Sequence, residues 1–409
     1  MLIADSEGIR RTLLVLPIVR SLGKRNIGTA LLTCQSLPPS AFSRWRPERI
    51  QCPSSFDNPE GFATTLQKNA ETDRYLTVFP TSDTSLRAIS ERREQLAPYL
   101  SLVIPSHESV LKTLDKSQTL NIAAEIGIPT PKTFLVKNDA EIASIANRIQ
   151  YPVAIKPRWS MHKEQNGKTH YSITQYANSA QELVSTYAKA SENSPSPLIQ
   201  EYVPGDNVQV ALLFDQNKPK AACVIKSKRE IPVTGGTSVL RESVPPDPLL
   251  VNHAIKLLKS IGWHGVAEVD FKMDSRDSTP KLMEVNPRFW GSMHVAIESG
   301  IDFPHMLYLL AKKEPIRPVF EYKTGVKFRW LNGDVENLRA ILKGEPRLIN
   351  TEPPAKFRAL LSFLKFYEKK IHYDGVSLVD PLPFFVEEAL YAREVLSNLT
   401  QRRILPSIV

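Results

Sequence analysis

The segments GVAEVDFKMD and KLMEVNPRFWGS hold the densest set of reactive residue types in this chain. Both read as strands, joined by the polar turn DSRDST, and they bring Asp270 and Glu284 onto neighbouring strands among apolar residues. Two carboxylates buried side by side are costly unless cations neutralise them. Asn286 follows Glu284 by two positions, so it shares that face of the strand. Three oxygen donors on one surface suit Mg²⁺, which keeps waters and shares its shell with phosphates. Arg288, two residues further on, would set a guanidinium beside those phosphates. An ordinary hairpin with solvent-facing acids competes with this reading on equal terms.

Four weaker signals accompany the hairpin. Lys156 ends the apolar run YPVAIKP beside a polar loop, which suits a phosphate ligand as well as a plain surface lysine. In LIQEYVPGDN, backbone groups of Glu201 and Val203 could meet an adenine edge, with the side chains of Gln200 and Asn207 beside it; a simple hairpin connection explains the stretch as cheaply. Lys116 opens a helix near where a phosphate could lie. In IPVTGGTSVLRES, Gly235 and Gly236 permit close approach of backbone to an anion, and Arg241 could pair with a carboxylate, against the alternative of a plain loop.

These residues need elements to hold them. The first hundred residues alternate apolar strands (MLIAD, NIGTALLTC, YLTVFPTSD) with helical spacings (Leu13, Leu16, Val19 and Leu22; then SLRAISERREQLAPYL). That alternation predicts a parallel α/β sheet, with ligands beyond the strand ends at Asp5–Gly8 and Thr81–Asp83. No GxGxxG occurs there, which disfavours a dinucleotide site. A second unit begins near Ser106, with a helix that stops at Gly127 and a Pro129/Pro131 turn into a strand. RWSMHKEQNGKTHY reads as a mobile loop, VQVALLFDQNKPKAACVIKSK as a hairpin, and LLVNHAIKLLKSIGW as an amphipathic helix. The expected domains are 1–105, 106–314 and a C-terminal extension, 315–409, packed on the body. Within it FRALLSFLKFYEKK predicts a helix lying against the protein rather than on a membrane.

Length and composition bound the function. A chain of 409 residues, 42% hydrophobic and 23% charged, is too long for one core and too apolar for disorder. No apolar run approaches the roughly 20 residues of a membrane span. Cys34, Cys52 and Cys223 are isolated, which argues against disulfide and zinc frameworks and for a reducing, cytoplasmic setting. The net charge of +9 comes from scattered basic residues, with no stripe interleaved with aromatics, so nucleic acid is disfavoured as a partner.

The order of these motifs resembles the ATP-grasp superfamily across residues 106 to 312, and within it the predicted carboxylate–amine ligases related to D-aspartate ligase and the carbamoyl-phosphate synthase large chain. The resemblance rests on Lys116, GIPTP, Lys156, the loop from Arg158 to Tyr171, QEYVPG and the hairpin from Val269 to Arg288. It implies an α/β preceding domain and a two-lobed ATP-grasp domain. It further implies that Lys116 and Lys156 hold ATP phosphates, that Gln200, Glu201 and Val203 line the adenine, and that Asn207 faces the ribose. Asp270, Glu284 and Asn286 would bind two Mg²⁺ ions, with Mn²⁺ as a substitute, while Arg288 would steady the transferred phosphoryl group; Arg241, read from the residues alone, is the candidate to hold the acyl phosphate with it. The implied reaction joins a carboxylate to an amine, or to a thiol, through an acyl phosphate with release of ADP. Its partners are small molecules, and a homodimer is compatible with it. Two departures stand out: asparagine replaces the usual glutamate at the ribose, and the phosphate loop has the single glycine Gly167. D-alanine–D-alanine ligases carry arginine two residues before the first metal acid, where this chain has Glu268. The competing functions are an ATP-binding regulatory module without turnover and a basic nucleic-acid-binding protein.

Overall fold

The computed structural model describes residues 1–4, 12–136, 139–163, 169–171, 173–345, 348–349 and 354–400. The N-terminal expectation holds. Strands β1 (Leu2–Ala4), β2 (Ala30–Thr33), β3 (Glu48–Gln51) and β4 (Val78–Pro80) form a parallel sheet in the order β3-β2-β1-β4. β1 and β2 are fully buried because helices cover both faces, which is why they read as unbroken apolar runs. The edge strand β3, sequence ERIQ, is mostly exposed and carries no apolar signature. The ligand position expected at Asp5–Gly8 lies outside the described residues. The one at Thr81–Asp83 stands at the end of β4, where Ser82 caps the helix Asp83–Glu91 in a reciprocal capping box.

The helix Lys116–Glu125 ends as expected at Gly127, whose φ of 73° lets Ile128 N–H reach back to the Ala123 carbonyl. A small antiparallel sheet follows, in the order β5-β10-β6-β9, from β5 (Thr133–Leu135), β6 (Val153–Lys156), β9 (Gln175–Ala177) and β10 (Leu198–Glu201). Between β6 and β9 lies the separate pair β7 (Met161–Lys163) and β8 (Thr169–Tyr171). Alternation sets the faces of the small sheet. Val153, Ile155 and Ile199 enter a core with Leu183 and Tyr187 of the helix Ala180–Asn193. Lys156 and Gln200 therefore stand on the opposite face.

The large sheet runs β15-β14-β11-β12-β13-β16-β17, built from β11 (Gly205–Asp215), β12 (Lys218–Ile231), β13 (Thr237–Ser243), β14 (Gly265–Asp274), β15 (Pro280–Asn286), β16 (Lys327–Arg329) and β17 (Ile371–Tyr373). On one face Val208, Val210, Leu212 and Phe214 pack with the helix Pro248–Ser260. On the other, Ala211, Leu213 and Val266 join a core shared with Ile3, Leu31 and Phe79 of the N-terminal sheet. That second face matters for function. Along β14 it begins apolar at Val266 and continues as Glu268, Asp270 and Lys272.

β16 pairs with β13, so the C-terminal residues extend the large sheet. Arg20 and Arg44 of the N-terminal unit both bond Asp380, which ties the extension back to the body. The helix Lys356–Phe363 touches its neighbours at its end, where Ser362 accepts from Arg229 and the Phe363 carbonyl from Arg329. None of its residues is buried, and Phe357 is 70% exposed.

Candidate active site

The hairpin expectation is met in register. Asp270 lies directly across from Glu284, and Glu268 directly across from Asn286. All four side chains rise from one face into the space between the two sheets. The Asn286 amide donates to Asp270 Oδ2 at 2.9 Å and to Glu268 Oε2 at 3.3 Å. The second Asp270 oxygen is buried without a hydrogen-bond partner.

Lysines close the site from the small-sheet side. Lys116 Nζ stands 3.3 Å from Glu284 Oε2 and donates to Ser160 Oγ at 2.9 Å. Its helix is held by Asp115, which caps Ser117 N–H and receives a two-oxygen grip from Arg158. Burial pulls the Lys156 ammonium down to about 8, with Lys116 and Lys272 adding to the effect while Glu284 and Asp270 oppose it. Burial alone would raise Glu284, but Lys116 and Lys156 together hold it below the ordinary carboxylate range. Asp270 is driven well above that range by burial and by Glu268 and Glu284. Glu268 rises to about 7, again chiefly through burial. The arrangement is short of positive charge at Asp270.

That shortage is what a divalent cation would relieve. Among the described residues no three acidic, histidine or cysteine side chains form a metal-chelating group by themselves. The set instead offers two carboxylates and an amide beside two lysines, the pattern that suits a magnesium ion sharing its shell with phosphate oxygens. Asp270, Glu284 and Asn286 fit that role, and the orphaned Asp270 oxygen marks where positive charge is missing.

Arg288 leaves the hairpin end and donates to Asn286 Oδ1 at 3.2 Å and to Asp83 at 2.9 Å. The N-terminal sheet thus reaches the site through the residue expected at the end of β4. Arg241 is placed differently from a free anion ligand. It is 2% exposed and donates to the carbonyls of Ser238 and Gly291 and to Asp374 at 2.7 Å. Its guanidinium is committed to protein partners and supports the loop that carries Arg288.

On the hinge side, Gln200 is buried, donates to Thr133 Oγ1 at 2.9 Å and keeps its own carbonyl oxygen unpartnered. Glu201 narrows which backbone group could serve. Its N–H is already given to the Lys132 carbonyl, and its carboxylate binds Lys281 at 2.6 Å. An adenine edge would have to use the Glu201 carbonyl and Val203 instead. Asn207 donates to the Glu230 carboxylate, which burial raises above its usual range. Lys272 lies over the Tyr202 ring, 5.3 Å from its centroid. The TGGTS turn folds over this group: a Cβ on Gly235, whose φ is 124°, would sit 3.6 Å from Lys272 Nζ and 3.7 Å from Asn207 Nδ2. The turn therefore covers the hinge residues rather than standing apart from them. Most of the phosphate loop, including Gly167, lies outside the described residues.

Sequence reasoning passed over three residues. Glu268 and Lys272 flank Asp270 at two-residue intervals, so strand periodicity alone could have placed them on its face. Glu230 sits on β12, and only the sheet brings it to Asn207.

Comparisons with known proteins bear on the family and the fold. Residues 107–216 match the family model "ATP-grasp domain", and residues 193–334 match "ATP-grasp in the biosynthetic pathway with Ter operon". The chain belongs to the ATP-grasp superfamily. A D-alanine–D-alanine ligase of Wolbachia is 23% identical over 229 residues, covering 50% of this chain and 67% of that protein. Across the curated relatives compared, the chain spans from 17% to 67% of their length. The fold is similar to the biotin carboxylase domain of 2-oxoglutarate carboxylase from Hydrogenobacter thermophilus, solved with magnesium ADP and bicarbonate. The TM-score is 0.64 at 14% identity, over 80% of this chain and 72% of that one. It is also similar to L-amino acid ligase from Bacillus licheniformis, with TM-score 0.58 and 15% identity over 78% and 77%. Among the described residues no helix is long and apolar enough to cross a membrane.

Proposed function

We propose that this chain is an ATP-dependent, ADP-forming ligase that joins a small-molecule carboxylate to an amine through an acyl phosphate. One observation carries the reading: Lys116 and Lys156 from the small-sheet side face Asp270 and Glu284 on the large sheet, within the family match. Two named relatives, a D-alanine–D-alanine ligase and an L-amino acid ligase, support amide formation as the reaction class.

In this reading Lys116 and Lys156 hold the ATP phosphates, and their charge offsets that of the transferring group. The Glu201 carbonyl and Val203 take the adenine edge, and Gln200 lies beneath it. Asn207 and Glu230 together face the ribose, so the carboxylate absent at position 207 is supplied from β12. Asp270, Glu284 and Asn286 would hold two magnesium ions, or manganese in their place, which supply Lewis acidity on the phosphate oxygens. Arg288, kept in place by Asp83 and Asn286, neutralises the transferred phosphoryl group. Arg241 is a positioning residue acting through the Gly291 carbonyl. The substrate carboxylate oxygen attacks the γ-phosphorus as the bond to ADP breaks; the amine then attacks the acyl carbon, phosphate leaves, and the amine loses a proton.

The test is ADP release with ATP, Mg²⁺ and a matrix of amino acids as acid and amine partners. Carboxylate labelled with ¹⁸O must pass label into inorganic phosphate, and hydroxylamine must trap the activated acid as a hydroxamate. Label retained wholly in acid and product, or release of AMP with pyrophosphate, would overturn the mechanism. Tight ATP binding with no turnover across the matrix would favour a regulatory module.

A further inference from the structure

Away from the cleft, the C-terminal extension forms a partly open cavity of about 750 Å³. That volume lies within the range of small-molecule sites, roughly 300–1,000 Å³. Trp330, Tyr373 and Phe384 give it aromatic walls, and Asp374, Glu387 and Glu388 give it acids. Glu387 is the telling residue. It is 5% exposed, and it makes no hydrogen bond or ion pair with any described residue. A carboxylate that deep is costly without a cation. Its neighbours worsen its position: Asp374 and Glu388 repel it, and only the more distant Arg20 helps, so the Glu387 carboxyl is pushed up to about 8, mainly by burial.

The cations nearby do not relieve it. Arg329 bonds Asp334 and the Phe363 carbonyl and keeps one buried guanidinium nitrogen without a partner, and Arg241 bonds Asp374 and Gly291, but neither bonds Glu387. Glu368 already pairs with Lys327. Lys369 stands on the exposed rim. The interior thus holds a buried carboxyl with no compensating cation among aromatic rings, and an ammonium or guanidinium group entering it would ionise that carboxyl and be held by charge and by ring face.

We propose that this cavity binds a small organic cation, an ammonium or guanidinium compound with an apolar body, at a site separate from the phosphoryl-transfer cleft. The two places are mechanically joined. Asp374 lines the cavity and bonds Arg241, which in turn bonds the Gly291 carbonyl in the loop after Arg288. Ser292, the next residue, donates to Glu268 at 2.9 Å. A ligand drawn to Glu387 and Asp374 therefore meets the far end of the support for the catalytic loop.

Direct binding tests this without relying on turnover, so the ligase reading can fail while the cavity reading stands. Calorimetry on the full chain saturated with magnesium ADP uses agmatine and phenethylamine as probes, with phenylacetate as the anionic match to the second. Both cations should bind at millimolar concentration or below, and phenylacetate should not. Glu387→Gln keeps the shape and removes the carboxyl that can ionise against a bound cation, so it should weaken cation binding about tenfold to a hundredfold. Val376→Trp, at the half-exposed rim, should block the cavity and abolish binding while leaving ADP affinity unchanged. Absence of binding by both cations, equal binding of phenylacetate, or cation affinity unchanged in both variants would overturn the proposal.

Discussion

Two clusters of buried carboxylates adjoin the large sheet, one on β14 and β15 and one between the end of β17 and the helix Leu382–Thr400, and they are balanced in opposite ways. In the cleft, Asp270 and Glu284 face Lys116 and Lys156, which arrive from the small-sheet side of the molecule. In the extension, Asp374 and Glu388 oppose Glu387, Arg241 is held by Asp374, and no cation bonds Glu387 among the described residues. The cleft is thus electrostatically prepared for a polyanion accompanied by metal, because its acids and bases are both present and incompletely satisfied. The extension is prepared for a cation, because its arginines bond other groups and Glu387 is left without one. Burial makes each group expensive; what differs is which charge has been left out.

The sharpest way to break this contrast is in the cleft. Asp270→Asn or Glu284→Ala should reduce ADP formation by about 10²–10³-fold or more, since charge developing on the phosphoryl group loses its metal support. Asp270→Asn should also leave the thermal midpoint equal or higher, because it removes a carboxylate that burial and two neighbours already oppose. Normal turnover at saturating Mg²⁺ would show that the hairpin holds no catalytic metal.

Next in size is the link between the clusters. Arg241→Met leaves Asp374 buried and unpaired, at a cost of about 3–5 kcal/mol in urea unfolding. The double variant Arg241→Met/Asp374→Leu should recover most of that stability without recovering kcat, because Gly291 has still lost its donor. Recovery of both would reduce Arg241 to a purely structural residue.

Lys156→Ala should weaken ATP binding about tenfold or more and leave adenosine binding nearly unchanged, since its partner is phosphate. Equal losses for both ligands in calorimetry would take Lys156 away from the phosphates.

The smallest effect belongs to the extension. Glu387 in the folded chain keeps its proton up to about pH 8, whereas in the unfolded chain it ionises near pH 4.5. Stability should therefore fall as pH rises from about 4.5 to 8, where the unfolded state binds fewer protons than the folded one. Glu387→Gln should flatten that part of the thermal-midpoint profile and stabilise the chain most above pH 8. An unchanged profile would mean that Glu387 is compensated after all.

Much of the site was legible because strand periodicity and motif order are local properties. Asp270, Glu284 and Asn286 share a face by two-residue spacing, and Gly127 ends its helix through a left-handed φ that glycine adopts without strain. β3 was not legible, because an exposed edge strand buries too little to leave an apolar pattern. The competing hairpin reading of the acids could not be dismissed from spacing either, since burial of Asp270 depends on a sheet that packs against it from elsewhere in the chain.

The residue types along the chain determined the parallel N-terminal sheet, the paired carboxylates and the lysines that could answer them, since each follows from periodicity, capping or charge within a few dozen residues. Only the tertiary structure decided the partners. Arg241 meets Asp374 from 133 residues away, and Arg288 meets Asp83 across 205. Asn207 finds its carboxylate on β12, and Glu387 finds none among the described residues. Which charges are neutralised depends on which strands become neighbours and how deeply they are buried, and sequence spacing does not specify either.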